Sequence, residues 1–290
     1  MDSSGRRDIV SWTGIIDTFA EQIPQVSLSF FCQLRRDGWV PDRYTLLTVL
    51  KACAELMIER HASSFHLLIV KSGFEEDNLL ANALIHSYAR CGVISLSKKV
   101  FDELGFRDII SWNSVLKGYA LHGHAGEALE LFSRMDAKPD ATTFVSILSA
   151  CSHVGMVEKG AAVFDSMLEK YGVVPDYDHY ACMIDLFGRA GCIAEAMNLI
   201  KKMPMEPDSV IWAALLGACR IHNETELGKF AASKLRELDP DNSLGYVLMS
   251  NIFCSDRNFD DAISLWKKMK GSRVRKKPGF SRVEVGNQVH

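Results

Sequence analysis

The chain has 290 residues, 48% hydrophobic and 24% charged, the composition of a soluble globular protein and a length for about two average domains. Disorder and collagen-like repetition are excluded, and no stretch reaches the roughly 20 consecutive apolar residues that a membrane-crossing helix needs. With 33 Lys plus Arg against 36 Asp plus Glu and a net charge of -3, global charge does not announce a nucleic-acid binder, so any such contact has to be local.

The opening MDSSGRRD lacks the apolar core of a secretory signal and is too short and too acidic for an organellar transit peptide, so no targeting segment is expected within this chain. The eight cysteines fall singly, at 32, 53, 91, 151, 182, 192, 219 and 254. Without a CxxC pair they suggest neither a disulfide scaffold nor a thiolate metal site.

Internal repetition organises the rest. From Asp8, DIVSWTGIIDTFA carries Trp12, Ile15, Ile16 and Phe19 at i, i+3, i+4, i+7, one stripe of a helix. The stripe returns 100 residues later in DIISWNSVLKGYA as Trp112, Val115, Leu116 and Tyr119, and after a further 100 in DSVIWAALLGACR as Trp212, Leu215, Leu216 and Cys219. LKACAEL at Leu50 recurs as LSACSHV at Leu148 and LGACRIH at Leu216. A second stripe, Ala128, Leu131, Phe132 and Met135, matches Ala196, Leu199, Ile200 and Met203, then Ala262, Leu265, Trp266 and Met269. Turn residues such as Cys91-Gly92, His122-Gly123-His124 and Ala190-Gly191 separate the two stripes.

Repeat boundaries carry an aspartate: Asp42, Asp77, Asp108, Asp140, Asp176 and Asp208, spaced by 35, 31, 32, 36 and 32 residues. Such a period suits two helices with two turns. No alternating β-branched segment competes, except in the last dozen residues. The expected fold is all-α, a right-handed α-solenoid superhelix of antiparallel helix pairs. Each pair buries its apolar face on its neighbours, and the first helices line a concave face.

Three segments carry a family resemblance: IISWNSVLKGYALHGHAGEALELFSRM, YTLLTVLKACAEL with KSGFEED, and LLANALIHSYARCGVISLSKKVFDEL. With HYACMIDLFGRAG and the degenerate pair that follows it, they resemble the plant pentatricopeptide repeat proteins of the P-L-S subclass, over nearly the whole chain. The resemblance divides the chain into a partial repeat (1–8), then P (9–42), L (43–77), S (78–108), P (109–140), L (141–176) and S (177–208). An E1 motif (209–242), an E2 motif (243–277) and the start of a C-terminal extension (278–290) complete it. It implies sequence-specific binding of single-stranded organellar RNA, one base per repeat, by a specificity factor for C-to-U editing. Physically, equal repeats present side chains at regular spacing to unstacked bases, whose edges are then readable.

In this family the base-reading residues are the fifth of a motif and its last. Carried over, the polar pairs are Thr13 with Asp42, Asn82 with Asp108 and Asn113 with Asp140. The first resembles a guanine-preferring pair and the other two uracil-selecting pairs, since an amide offers both donor and acceptor. Leu47 with Asp77, Val145 with Asp176 and Ala181 with Asp208 should read weakly, because the first member cannot hydrogen-bond through its side chain. Val10, Leu79 and Ile110, at the second position, would sandwich bases. The implied footprint is 5′-G-N-U-U-N-N-N-N-N-C-3′, ending on the edited cytidine.

Structural readings stand beside these. A boundary aspartate could simply cap a helix. Trp12, Trp112 and Trp212 head the apolar stripe and are expected in the core rather than stacked on bases. Cys53, Cys151 and Cys219, in repeated Ala-Cys dipeptides, suit close helix approach. His222-Asn223-Glu224 matches the HxE of zinc deaminases, but no PCxxC follows, so His222 is read as a turn residue; His122 and His124 are read as surface histidines. Lys267, Lys268, Lys270, Arg273, Arg275, Lys276 and Lys277 form the one strong charge cluster, which either follows an RNA backbone or solvates the last helix.

The tail KKPGFSRVEVGNQVH resembles the beginning of the extension that in longer relatives leads to a DYW cytidine deaminase domain. GRRD before Ile9 resembles the end of a preceding S motif. The expectation is a non-enzymatic chain with no catalytic or metal-binding residues and no cofactor, a monomer off the membrane that recruits a DYW-type deaminase in trans through E1 and E2. Small multiple-organellar RNA editing factors are the further partners implied, and the mitochondrion, with the chloroplast as alternative, is the implied location. A protein-interaction scaffold, and an RNA stability or splicing factor without an editing role, are the alternatives.

Overall fold

The computed structural model describes residues 8–272 and 274, together with the backbone of 284–285 and 288–289. The described residues form sixteen α-helices and one two-stranded antiparallel ribbon, β1 (Glu284–Val285) and β2 (Gln288–Val289). They group into two compact bodies. The first contains α1 (Ile9–Ala20), α2 (Pro24–Arg36), α3 (Arg43–Leu56), α4 (Glu59–Lys71), α5 (Asn78–Arg90), α6 (Ile94–Glu103), α7 (Ile109–Leu121), α8 (Ala125–Ser133) and α9 (Ala141–Val154). The second contains α11 (Tyr177–Arg189), α12 (Ile193–Lys202), α13 (Ser209–His222), α14 (Thr225–Leu238), α15 (Ser243–Ser255) and α16 (Phe259–Gly271). Helix α10 (Val157–Tyr171) is divided, its residues from 162 onward belonging to the first body.

Helices alternate in role along the chain. Odd-numbered helices pack side by side, α1 on α3, α3 on α5, α5 on α7 and α7 on α9 in the first body, and α11 on α13 and α13 on α15 in the second. Even-numbered helices pack back onto them, α2 on α1 and α6 on α5, for example. In two pairs the second helix carries a hydroxyl that ties it to the first: Ser27 donates to the Ile16 carbonyl at 2.8 Å and Ser97 to the Ile85 carbonyl at 2.9 Å.

The first helices begin under side-chain control. Asp8, Asp42, Asp77, Asp108, Asp176, Asp208 and Asn242 each sit in extended backbone and accept an N–H of the first turn. The second helices α2, α4, α6, α8, α12 and α14 start without a side-chain cap. Their entry is set by the turn before them, where Gly92 and Gly191 take positive φ near +80°, conformations that cost glycine nothing. Met57 and Asn223 hold the equivalent left-handed position at the ends of α3 and α13.

Trp12, Trp112 and Trp212 are buried. The Trp112 ring meets Phe101 edge-on at 4.8 Å, and its indole N–H donates to Asp136 at 3.1 Å. Cys53, Cys151 and Cys219 are fully buried; burial pushes the Cys219 thiol up to about 11, so it packs as a small apolar group. Of the histidines, His122 and His124 are exposed, as read from sequence, whereas His222 departs from its reading. His222 is the last residue of α13, not part of a turn, and its Nε2 bonds the Gly188 carbonyl of α11 at 2.8 Å. His122 and His153 do the same to the Ala89 and Ala120 carbonyls of the preceding first helix. Each histidine therefore clamps two first helices where small residues let them approach.

That close approach is testable. A Cβ added at Gly188, in the last turn of α11, would lie 2.5 Å from the Ala218 Cβ, whereas one at Gly217, inside α13, would meet nothing within 4 Å. Gly217→Ala is expected to stabilise the protein by about 0.5 to 1 kcal/mol through helix propensity alone. Gly188→Ala makes the same gain but overpacks the α11–α13 contact, and is expected to destabilise by about 1 to 2 kcal/mol, both read by thermal unfolding.

Candidate nucleic-acid interface

The first turns of the first helices present three side-chain positions in fixed register. The second residue points outward: Val10 and Ile110 are 73% and 56% exposed, and Leu79 is 37% exposed. Exposed apolar side chains at one helical register have no packing role in their own repeat, which is what a surface meant to meet flat apolar faces requires. The same register adds Tyr44, 63% exposed on α3, and in the second body Val210 and Leu244, none of them singled out by sequence. Tyr44 follows Arg43 directly at a helix start, so the signal was its place two residues after Asp42.

The fifth residue lies beside the boundary aspartate that begins the next first helix. The Asn82 amide donates to Asp108 Oδ1 at 3.2 Å, and the Asn113 amide donates to Asp140 Oδ1 at 3.0 Å. Both pairs named from sequence are thus brought together. Thr13 reaches Asp42 through an intermediary: its hydroxyl meets the Thr45 hydroxyl at 2.7 Å, and Thr45 donates to Asp42 Oδ1 at 2.7 Å.

The intermediary belongs to a pattern that sequence reasoning missed. Thr45, Ser111 and Thr143, third residues of α3, α7 and α9, are fully buried, and each hydroxyl donates to the boundary aspartate three residues before it. The same aspartate Oδ1 accepts the backbone N–H of that residue at 2.8 to 2.9 Å. Thr143 also lies 2.7 Å from Asn113 Oδ1, so one hydroxyl joins the amide and the carboxylate. The signal was Asp-x-x-Ser/Thr. It occurs where the fifth residue of the preceding helix is Thr13, Asn82 or Asn113, and is replaced by Leu80, His179 or Ile211 where that residue is Leu47, Val145 or Ala181.

Capping and display are therefore not alternatives. Oδ1 of Asp42 and Asp140 takes the cap and the side-chain donors, while Oδ2 of each accepts no hydrogen bond among the described residues. The remaining boundaries are more committed. Asp77 accepts two backbone N–H groups, and its Oδ2 is paired with Arg43 Nε at 2.7 Å. Asp176 forms a capping box with buried His179, and Asp208 caps α13 through Val210 and Ile211. Leu47, Val145 and Ala181 are half-buried.

Asn82 differs from Asn113 in one respect. It is 6% exposed, and its Oδ1 is buried without a hydrogen-bond partner, an unmet acceptor that costs about 1 to 3 kcal/mol until something donates to it. Of the cationic cluster, Lys267, Lys268 and Lys270 lie exposed on the last turns of α16. Arg273, Arg275, Lys276 and Lys277 fall outside the described residues.

Two outcomes follow. Thr143→Val keeps shape and burial but removes the bridging donor, and is expected to cost about 1 kcal/mol and to shift the Asn113 side-chain NH2 resonances. The second concerns acid. Burial pushes the Asp108 carboxyl up, but the Ser111 N–H and hydroxyl and the Asn82 amide outweigh it, so it sits below the ordinary 3.8. Asp140 is held below 3.8 in the same way, burial being outweighed by the Thr143 N–H, the Asn113 amide and the Thr143 hydroxyl. The unfolded chain then binds more protons in that window, so this contribution is complete above pH 3.8 and is lost as pH falls through the lowered values. The stability difference between the native chain and Asp140→Asn should therefore shrink on acidification below 3.8, measured as melting temperature against pH.

The model for the PPR repeat matches residues 80–109, 110–138, 142–171 and 178–206, and that for the E motif matches residues 222–284. The chain is 50% identical, over all of its length, to pentatricopeptide repeat-containing protein At1g71420 of Arabidopsis thaliana. It is 38% identical over 98% of its length to At1g56690, mitochondrial, from the same plant. It spans 39% and 41% of those two proteins, about two fifths of their length. Among solved structures it is similar to the pentatricopeptide repeat protein PPR10 from maize, with a TM-score of 0.61, 21% identity, and coverage of 94% of this chain and 40% of that one. PPR10 has also been solved in complex with an 18-nt psaJ RNA element, to which this chain matches with a TM-score of 0.55 at 18% identity, covering 95% of this chain and 47% of PPR10. With helix pairs of this period and matched repeats and E motif over more than half of its residues, the chain belongs to the pentatricopeptide repeat family.

Proposed function

We propose that the chain binds single-stranded RNA along the first turns of its first helices, one base per repeat. The observation that carries this is the paired display of Asn82 with Asp108 and of Asn113 with Asp140. In successive repeats an amide is held against a carboxylate at the same register, beside an exposed apolar residue at the second position. An amide fixed in this way offers a donor and an acceptor in one plane, which suits the edge of uracil, and Val10, Leu79 and Ile110 supply apolar surface for the base faces. Thr13, coupled to Asp42 through Thr45, offers a hydroxyl and suits guanine in this scheme. PPR10, similar in fold, has been solved in complex with an 18-nt psaJ RNA element, which supports the reading.

The order of repeats reads as P-L-S twice, followed by E1 and E2. With that order the chain acts as a specificity factor for organellar C-to-U editing. The first helices select the site, and the E region, free of base-reading pairs, recruits a DYW-type deaminase in trans. Small multiple-organellar RNA editing factors dock on the L repeats, where Leu47 and Val145 take the place of a polar reader. Mitochondria are the favoured location, in line with the name of the relative At1g56690, mitochondrial; chloroplasts are the alternative.

The purified chain is expected to bind single-stranded RNA carrying G-N-U-U about tenfold or more tightly than U-N-G-G, a difference of about 1.4 kcal/mol, at a stated moderate salt concentration. The preference should vanish in the Asn82→Ser, Asn113→Ser double variant. Equal binding of both RNAs by the native chain would remove the register assigned here.

A further inference from the structure

The second body carries a cavity that the base-reading surface does not use. It measures about 210 Å³ and opens between α14 and α16 over α15. Its floor is Met249, Phe253 and Leu265, and its walls bring Lys229, Arg236 and Lys268 together. On α15, Met249 and Phe253 lie opposite Leu244 and Val247, the second and fifth residues, at 3.6 residues per turn. The cavity therefore opens away from the side of α15 that would meet bases.

Charge and shape together specify what would fill it. Among the described residues that line the cavity, three are cationic and one, Asp261, is a carboxylate. Neither Arg236 nor Lys268 forms an ion pair among the described residues; Arg236 donates to the Ala232 carbonyl and stands 6.0 Å over the Tyr246 ring. Lys229 pairs with Glu226 at 2.8 Å, but that pair is exposed, Glu226 at 86%, and holds the lysine weakly. Lys229 also stands 5.9 Å from the Phe253 ring centre, so the apolar floor and the cationic wall are contiguous. A cavity of roughly 150 Å³ lined by aliphatic and aromatic groups is large enough to take up benzene, so this one accommodates an aromatic side chain. In a chain whose net charge is -3, such a local excess of positive charge selects an anionic ligand.

We propose that the α14–α15–α16 cavity is a docking site for an acidic segment of a partner protein, one apolar or aromatic side chain entering over Met249, Phe253 and Leu265 while flanking carboxylates meet Lys229, Arg236 and Lys268. This deepens the reading that the E region recruits a protein in trans, and rests on it for the presence of a partner, though not for the chemistry of the site.

The test uses the whole chain and a fluorescein-labelled peptide with one phenylalanine among glutamates. Saturable binding is expected, at least about tenfold weaker when the glutamates are replaced by lysine or the phenylalanine by serine. The double variant Arg236→Glu, Lys268→Glu should lose binding by a similar factor with unchanged melting temperature, and Arg236→Glu alone should weaken peptide binding while leaving the preference for G-N-U-U RNA unchanged. Lys268→Gln, which removes the charge without reversing it, should give a smaller loss in the same direction. Absence of saturable binding, or binding indifferent to these variants, overturns the proposal. So does an inert peptide combined with loss of RNA affinity in the double variant, which would make the cavity wall a phosphate contact. Peptide binding with no RNA preference would instead sink the base-reading scheme and leave the docking site standing.

Discussion

One side-chain oxygen at the start of the first helices, from an aspartate at all but α15, governs the local fold. A helix begins with backbone N–H groups that its own carbonyls cannot satisfy, and the aspartate before the helix meets that need. In this chain the cap fixes more than the helix end. With Oδ1 committed to the N–H groups of the first turn, the carboxylate is held in place, and the second oxygen of Asp42 and Asp140 accepts no hydrogen bond among the described residues. A residue retained for helix initiation thus becomes a positioned acceptor at Asp42 and Asp140, with no additional fold required.

The buried hydroxyls explain why three boundaries differ from the other three. At Asp42, Asp108 and Asp140 a Ser or Thr inside the first turn gives the carboxylate a second donor from below, which holds it at the correct height for the amide or hydroxyl of the preceding helix. At Asp77, Asp176 and Asp208 the third residue is Leu80, His179 or Ile211, and the carboxylate turns to Arg43, to the histidine or to the backbone alone. Reader and support vary together. A polar fifth residue without the hydroxyl would face a carboxylate already satisfied elsewhere, and a hydroxyl without a polar fifth residue would have nothing to align.

Most of the architecture was legible in the sequence because a helix pair must bury its apolar face on its neighbours. The stripe headed by Trp12, Trp112 and Trp212 recurs at one spacing, and burial of all three tryptophans follows from that period. The pairing of Asn82 with Asp108 was legible for a different reason, since it came from the family resemblance and not from periodicity. What escaped was contact chemistry across repeats. His122 and His222 read as surface and turn residues because a histidine near a glycine is usually solvated, and His153 carried no sequence signal. Only the fold shows that each lies against a carbonyl of the preceding first helix, 33 or 34 residues earlier. Tyr44 was hidden by its neighbour Arg43, and Thr45 by the habit of reading a buried threonine as packing.

The two kinds of surface on this chain place opposite demands on charge. The rows on the first helices expose apolar side chains and acceptor oxygens, so affinity for a polyanion has to come from fixed geometry and stacking more than from attraction at a distance. The cavity between α14 and α16 has the reverse character, with cations on its wall and an aromatic floor. On the proposed reading, a polyanion lying along the first helices is repelled by each carboxylate that meets no base donor, which penalises sequences that do not match.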